Sequence, residues 1–225
     1  MTRRTRPIWR TMRDNDRDME RSEMVERTIL SRGIADEAVI HAMMKVERHR
    51  FVLDEYSQEA YEDTPLPIGH GQTISQPYIV AKMTELAGID STSQVLEIGS
   101  GSGYQAAILA EIARSVFTIE IDRDLATLAK KTLDSLGYKN IHFHCGDGYR
   151  GWPEHSMFDA IVVTAAPTRI PKPLLDQLAD GGRLVIPVGD RYQELKVVTI
   201  FKGEQSTRSI IPVRFVPMTG EILEV

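Results

Sequence analysis

The run Val95-Leu96-Glu97-Ile98-Gly99-Ser100-Gly101-Ser102-Gly103-Tyr104 constrains the fold of this chain more than any other segment. A short apolar strand runs directly into glycines at every second position, and an apolar helical pattern resumes at Tyr104. Glycine tolerates turns that side chains forbid and lets a backbone approach a ligand closely, while a helix start presents free N–H groups. The dinucleotide-binding fingerprint places its third glycine three residues after the second. Here that place holds Tyr104, the glycines fall at 99, 101 and 103, and Glu97 precedes them. A carboxylate beside the turn repels a pyrophosphate and suits a ligand that carries an amine and a sulfonium.

The surrounding pattern repeats strand and helix in turn. Strand patterns at Val95–Ile98, Val116–Ile121, Ile141–Cys145, Phe158–Val163 and Leu184–Val188 alternate with helical ones at Pro77–Ala87, Tyr104–Ala113, Leu125–Leu136 and Leu174–Leu178. Near-continuous apolar strands in this alternation predict a doubly wound, mostly parallel α/β sheet with helices on both faces. Gly181-Gly182 is read as the stop of the last helix. The tail carries Leu195–Phe201 and Ile210–Val216, separated by the polar stretch Lys202–Ser209, an antiparallel C-terminal edge. Ahead of the sheet, a helix over 20–32 closes at Gly33, and a second starts at Asp36 and ends before His49. Phe51–Gln72, with Pro65, Pro67, Gly69 and Gly71, reads as irregular, and an ordered loop of that length often covers a site. With 225 residues the chain suits one domain. The expected division is a basic extension over 1–16 and a single domain over 17–225, with a helical cap over about 17–72.

Acids recur where strands end. Glu120 closes the strand after the glycine turn, 21 residues past Gly99, where an acid accepts ribose hydroxyls in nucleotide-binding sheets. Asp122 and Asp124 read instead as caps of the next helix. Gly146-Asp147-Gly148 follows the third strand; its aspartate suits an adenine amine, and a plain β-turn is the competing reading. Open α/β sheets bind ligands beyond the carboxyl ends of their strands.

Charge and cysteine content exclude other classes. Residues 1–13 carry Arg3, Arg4, Arg6, Arg10 and Arg13 without an acid, which leaves the other 212 residues at a net −10. An acidic body repels phosphate backbones, so no nucleic acid is expected as a partner. Arg3-Arg4 is followed by no apolar stretch that would make it a twin-arginine signal, and no run of 18 apolar residues predicts a membrane span. The single Cys145 rules out internal disulfides and fits a reducing, cytoplasmic setting. Cys145 itself is expected to be a small buried hydrophobe. His142 and His144 alternate onto the face opposite Cys145, which argues against a metal cluster, so no metal is expected.

These residues resemble the class I S-adenosylmethionine-dependent methyltransferases, and within them the protein-L-isoaspartate O-methyltransferase family. The resemblance rests on Gln72-Thr73-Ile74-Ser75-Gln76-Pro77, Gly99-Ser100-Gly101-Ser102-Gly103-Tyr104-Gln105-Ala106, Gly146-Asp147-Gly148, Pro187-Val188-Gly189 and Arg214-Phe215-Val216-Pro217-Met218-Thr219. It runs in order over about residues 20–221. Ser100 stands where threonine is frequent and Met218 where leucine is usual.

The resemblance implies S-adenosyl-L-methionine as cofactor. Glu97, Gly99, Ser100, Gly101, Ser102 and Gly103 would surround its methionine part, with Glu120 on ribose and Asp147-Gly148 near adenine. Ser75 would line the acceptor position, although spacing alone reads it as the cap of the helix that follows. Ile74, Val188 and Thr219 would hold the peptide or close the pocket. The implied partners are isoaspartyl-containing proteins and peptides, methylated on the α-carboxylate; the pattern says nothing of oligomeric state. That acceptor is already ionised at neutral pH, which fits a sequence without a Ser-His-Asp or Cys-His arrangement. Thr164-Ala165-Ala166-Pro167 stands where adenine-N6 methyltransferases carry Asn/Asp-Pro-Pro-aromatic, and Cys145 does not follow a proline as in cytosine-C5 enzymes. A methyltransferase for a small molecule or RNA, and a cofactor-binding module without catalysis, are the competing functional classes.

Overall fold

A computed structural model describes residues 17–223. The basic extension over 1–16 lies outside the described residues. Residues 17–24 form α1, which widens into a π-turn at Val25–Ile29 and then tightens to a 3₁₀ turn at Leu30–Arg32, ending on left-handed Gly33. α2, Glu37–Lys45, is capped by Asp36, whose carboxylate accepts from the N–H groups of Ala38 and Val39.

The stretch expected to be irregular contains structure. It holds a 3₁₀ turn at Asp54–Glu59 and part of a small antiparallel hairpin of β1, Leu66–Gly69, and β2, Gln72–Ile74. These strands are too short to show a period, but Leu66, Ile68 and Ile74 are buried, and that burial fixes them. The turn Gly69-His70-Gly71 has positive φ throughout.

After α3, Pro77–Ala87, come β3, Gln94–Ile98; α4, Tyr104–Ala110; β4, Ser115–Glu120; α5, Arg123–Leu136; and β5, Ile141–Cys145. The chain then supplies β6, Phe158–Val163; the short α6, Lys172–Leu175; and β7, β8 and β9 at Leu178–Gly189, Gln193–Phe201 and Glu204–Val213. The seven-stranded sheet has the order β5-β4-β3-β6-β7-β8-β9. It is parallel from β5 to β7 and antiparallel from β7 to β9, as the apolar pattern predicts. The strand order reverses between β3 and β6, and that switch point opens a crevice at the carboxyl ends. One face packs under α1 to α5 through Val95, Val116, Val162 and Val185. The other is covered by α6, 3₁₀ turns and the C-terminal segment, through Leu96, Ile119, Ile161 and Ile186.

Three local expectations are corrected. Gly181-Gly182 lies inside β7, where the β6–β7 register shifts, and does not stop a helix. The polar stretch after Phe201 is mostly strand. Lys202 and Gly203, both at positive φ, make a two-residue turn, and β9 begins at Glu204. An edge strand exposed to water needs no apolar alternation, so its polar half gave no signal. Cys145 is exposed rather than buried, because β5 is the opposite edge.

Candidate active site

The crevice at the switch point is a cavity walled by the glycine turn, the ends of β4 and β6, the β1–β2 hairpin and the C-terminal segment. Gly99, Gly101 and Gly103 have φ of 94°, 52° and 88°, values that side chains rarely adopt. A Cβ on Gly103 would also strike Leu133 at 2.9 Å, so that glycine serves the packing of α4 on α5.

Glu120 is almost fully buried and joins two loops. Its Oε2 accepts from Gly101 N at 2.8 Å and its Oε1 from Asp122 N at 3.0 Å. Each carboxylate oxygen keeps a further acceptor position, which suits a pair of vicinal hydroxyls. Asp122 caps α5 through the N–H groups of Asp124 and Leu125 and lies 2.9 Å from His70 Nδ1, tying the hairpin tip to this loop. Asp124 stands in the first turn and is not the cap.

Ser75, Ile74, Gly99, Ser100, Gly101, Ser102, Glu120, Gly148 and Thr219 all line this cavity. Glu97, Gly103, Asp147 and Val188 do not. Glu97 is fully buried behind the turn, opposite Thr118 in the β3–β4 register. There Ser100 Oγ contacts Thr118 Oγ1, which donates to Glu97 Oε2, while Glu97 Oε1 has no partner among the described residues. Burial, reinforced by the Glu120 carboxylate, pushes the Glu97 carboxyl up to about 8. The folded protein therefore holds a proton that the unfolded chain releases near pH 4 to 5. Stability should fall as pH rises from about 5 to 8, and Glu97→Gln should remove that slope, as urea midpoints across this range would show.

Asp147 is a staple. One oxygen accepts from Tyr149 N at 2.9 Å and the other from Glu221 N at 2.6 Å, docking the C-terminal turn onto the end of β5. Val188 is half-buried and packs against the core on the face of the sheet that α6 covers.

The helix after Ser75 is capped by another residue. Asp63 Oδ1 accepts from Tyr78 N at 3.0 Å and its Oδ2 from Gln76 Nε2 at 2.7 Å, so Ser75 is not the cap and remains on the cavity wall. Beneath it Arg48, wholly buried, donates to the carbonyls of Ser75, Ala60 and Thr64. Arg48 and Asp63 escaped the sequence reading because their partners lie 12 to 27 residues away.

A second cavity adjoins the first and shares Thr73, Ser75, Thr164 and Val216 with it. Its outer wall is Arg32, Tyr78 and the segment Ile211–Phe215. Val216 to Met218 is held by paired backbone bonds, Ala166 N to Val216 O at 2.8 Å and Met218 N to Ala166 O at 2.9 Å. Thr164 was noted in the sequence only for the motif it lacks. The end of the strand beside the switch point was the available signal. Among the described residues no helix is long and apolar enough to cross a membrane.

The family model described as protein-L-isoaspartate(D-aspartate) O-methyltransferase (PCMT) matches residues 19–223. A protein-L-isoaspartate O-methyltransferase of Gloeobacter violaceus is 56% identical over 200 residues, covering 88% of this chain and 98% of that one. Its counterpart from Opitutus terrae is 55% identical over 207 residues, 91% and 89% of the two chains. A solved protein-L-isoaspartate O-methyltransferase superimposes with a TM-score of 0.81 at 29% identity, over 92% of this chain and 67% of that one. A Plasmodium falciparum protein assigned the same activity, crystallised with S-adenosyl-L-homocysteine, gives 0.76 at 26% identity, over 88% and 98%. The glycine turn, the switch-point crevice and these likenesses converge, and the chain belongs to the protein-L-isoaspartate(D-aspartate) O-methyltransferase family.

Proposed function

We propose that the protein transfers a methyl group from S-adenosyl-L-methionine to the α-carboxylate of L-isoaspartyl residues in damaged proteins and peptides, initiating their repair. The observation that carries this reading is the meeting of two cavities at Thr73, Ser75, Thr164 and Val216. The first offers the glycine turn and the Glu120 carboxylate, whose free acceptor positions suit the hydroxyls of a nucleoside. The second offers an acceptor entrance beside Ser75, with Thr219 and Ile74 on the adjoining wall of the first. The cofactor, when bound, supplies a methyl group on a positively charged sulfur.

The remaining work falls to this chain's own residues. A carboxylate is ionised at neutral pH, so no side chain has to remove a proton. Alignment of oxygen with methyl carbon and sulfur is the task, and orientation alone can contribute roughly 7–11 kcal/mol. Ser75, fixed from below by Arg48, presents a hydroxyl that can donate to the acceptor carboxylate. Glu120 holds Gly101 and would hold ribose. Asp147 fixes the C-terminal turn near the adenine end, beside Gly148. The single cysteine supports a reducing, cytoplasmic setting.

Labelled S-adenosylmethionine offered with paired isoaspartyl and aspartyl peptides tests the reading: the isoaspartyl member alone should take the label, and equal labelling would overturn it. Ser75→Ala should lower kcat by about tenfold or more, the scale of one hydrogen bond to a charged group. Its affinity for S-adenosyl-L-homocysteine, read by calorimetry, should stay close to that of the unaltered protein.

A further inference from the structure

Thr164 stands at the end of β6, on the wall common to both cavities. Its hydroxyl is committed to the glycine turn: Oγ1 donates to Gly99 O at 2.6 Å, with Ile98 O at 3.0 Å, while its N–H donates to Ile98 O at 2.9 Å. The fit around it is close, since a Cβ on Gly99 would come within 2.4 Å of the same oxygen. The turn that lines the cofactor cavity is therefore fastened to the acceptor side through one hydroxyl.

We infer that Thr164 is a positioning residue for methyl transfer, whose hydroxyl masks the Gly99 carbonyl and sets the glycine turn against the acceptor position beside Ser75. The inference rests on the methyltransferase reading above. Its physical basis has two parts. An uncapped carbonyl at the junction would direct partial negative charge toward an incoming carboxylate, and in a site shielded from water such repulsion is screened weakly. A turn released from this bond can also shift, and a misplacement of about 1 Å can cost on the order of 100-fold in rate.

Thr164→Val keeps the shape of the side chain and removes only the hydroxyl function; Thr164→Ser keeps the hydroxyl and removes a methyl. With an isoaspartyl peptide and labelled S-adenosylmethionine, Thr164→Val should lower kcat by about 10- to 100-fold. Peptide KM and S-adenosyl-L-homocysteine affinity should change far less than kcat, and the melting temperature should drop by no more than about 4 °C, the scale of one lost hydrogen bond. Thr164→Ser should recover most of kcat. A Thr164→Val enzyme that turns over at the unaltered rate, or a Thr164→Ser enzyme as slow as the valine variant, would overturn the inference. So would a loss of cofactor affinity or of melting temperature in parallel with kcat, since that would make Thr164 a structural prop. Selective labelling of the isoaspartyl peptide by the unaltered protein keeps the broader reading in place whichever way the variants fall.

Discussion

Replacing Glu120 by alanine is expected to weaken S-adenosyl-L-homocysteine binding by about 100-fold or more, with a smaller change in the turnover of cofactor-saturated enzyme. Two charge-assisted hydrogen bonds hold the glycine turn and the loop after β4 in place, to Gly101 N at 2.8 Å and Asp122 N at 3.0 Å. Hydrogen bonds to charged groups are worth about 1.5–3 kcal/mol each. Alanine would remove the carboxylate proposed to accept from ribose and would also free the backbone that shapes the cavity floor. Glu120→Gln should fall between the two, because one amide oxygen can still accept while the nitrogen faces an N–H donor. Calorimetric titration reads the effect directly, and an unchanged affinity in Glu120→Ala would remove Glu120 from the cofactor site.

The largest effect on stability is expected at Arg48. Its side chain is wholly buried, with Nε 2.8 Å from Ala60 O, one terminal nitrogen 2.9 Å from Ser75 O and the other 3.2 Å from Thr64 O, and the guanidinium lies 5.1 Å from the centre of the Tyr104 ring. Burial pushes the guanidinium down to about 10, which still leaves it charged at neutral pH. Carbonyl dipoles and an aromatic face stabilise that charge where a carboxylate would otherwise be needed. Arg48→Met keeps much of the volume and strands three buried carbonyls together, a loss of about 3 kcal/mol or more at about 1–3 kcal/mol for each unsatisfied group. That is a large share of the 5–15 kcal/mol typical of a whole domain. Urea unfolding should show it, with Arg48→Lys intermediate because an ammonium cannot span three divergent carbonyls. A methionine variant within about 1 kcal/mol of the unaltered protein would mean that water replaces the guanidinium freely.

The legible parts of this molecule share a physical cause. Strands buried on both faces read as continuous apolar runs, so β3, β4, β6 and the core of β7 were found nearly to the residue. The polar half of β9 and the hairpin of β1 and β2 were missed because one lies in water and the other is too short to show a period. Within the site, the glycine turn was visible because its backbone geometry demands glycine, and Glu120 because it closes the strand that follows the turn. Glu97 and Asp147 were recognised as notable carboxylates, yet their neighbours decided what they do: one is a protonated partner of Thr118 behind the turn, the other the anchor of the C-terminal segment. Ser75 is the reverse case. Spacing read it as a cap, and a distant aspartate had taken that position.

Apolar periodicity carried the sheet, and the glycine turn with its companion motifs carried the family resemblance, because both are written in neighbouring residues. Strand order, and with it the switch point, belongs to the folded chain. The tertiary structure alone decided that Asp63 relieves Ser75 of capping, that Arg48 holds its carbonyl, and that Thr164 fastens the glycine turn where two cavities meet. Those contacts join residues 15 to 65 positions apart. Local propensity carries no record of such pairs, and only the packing of the folded chain brings them within hydrogen-bonding distance.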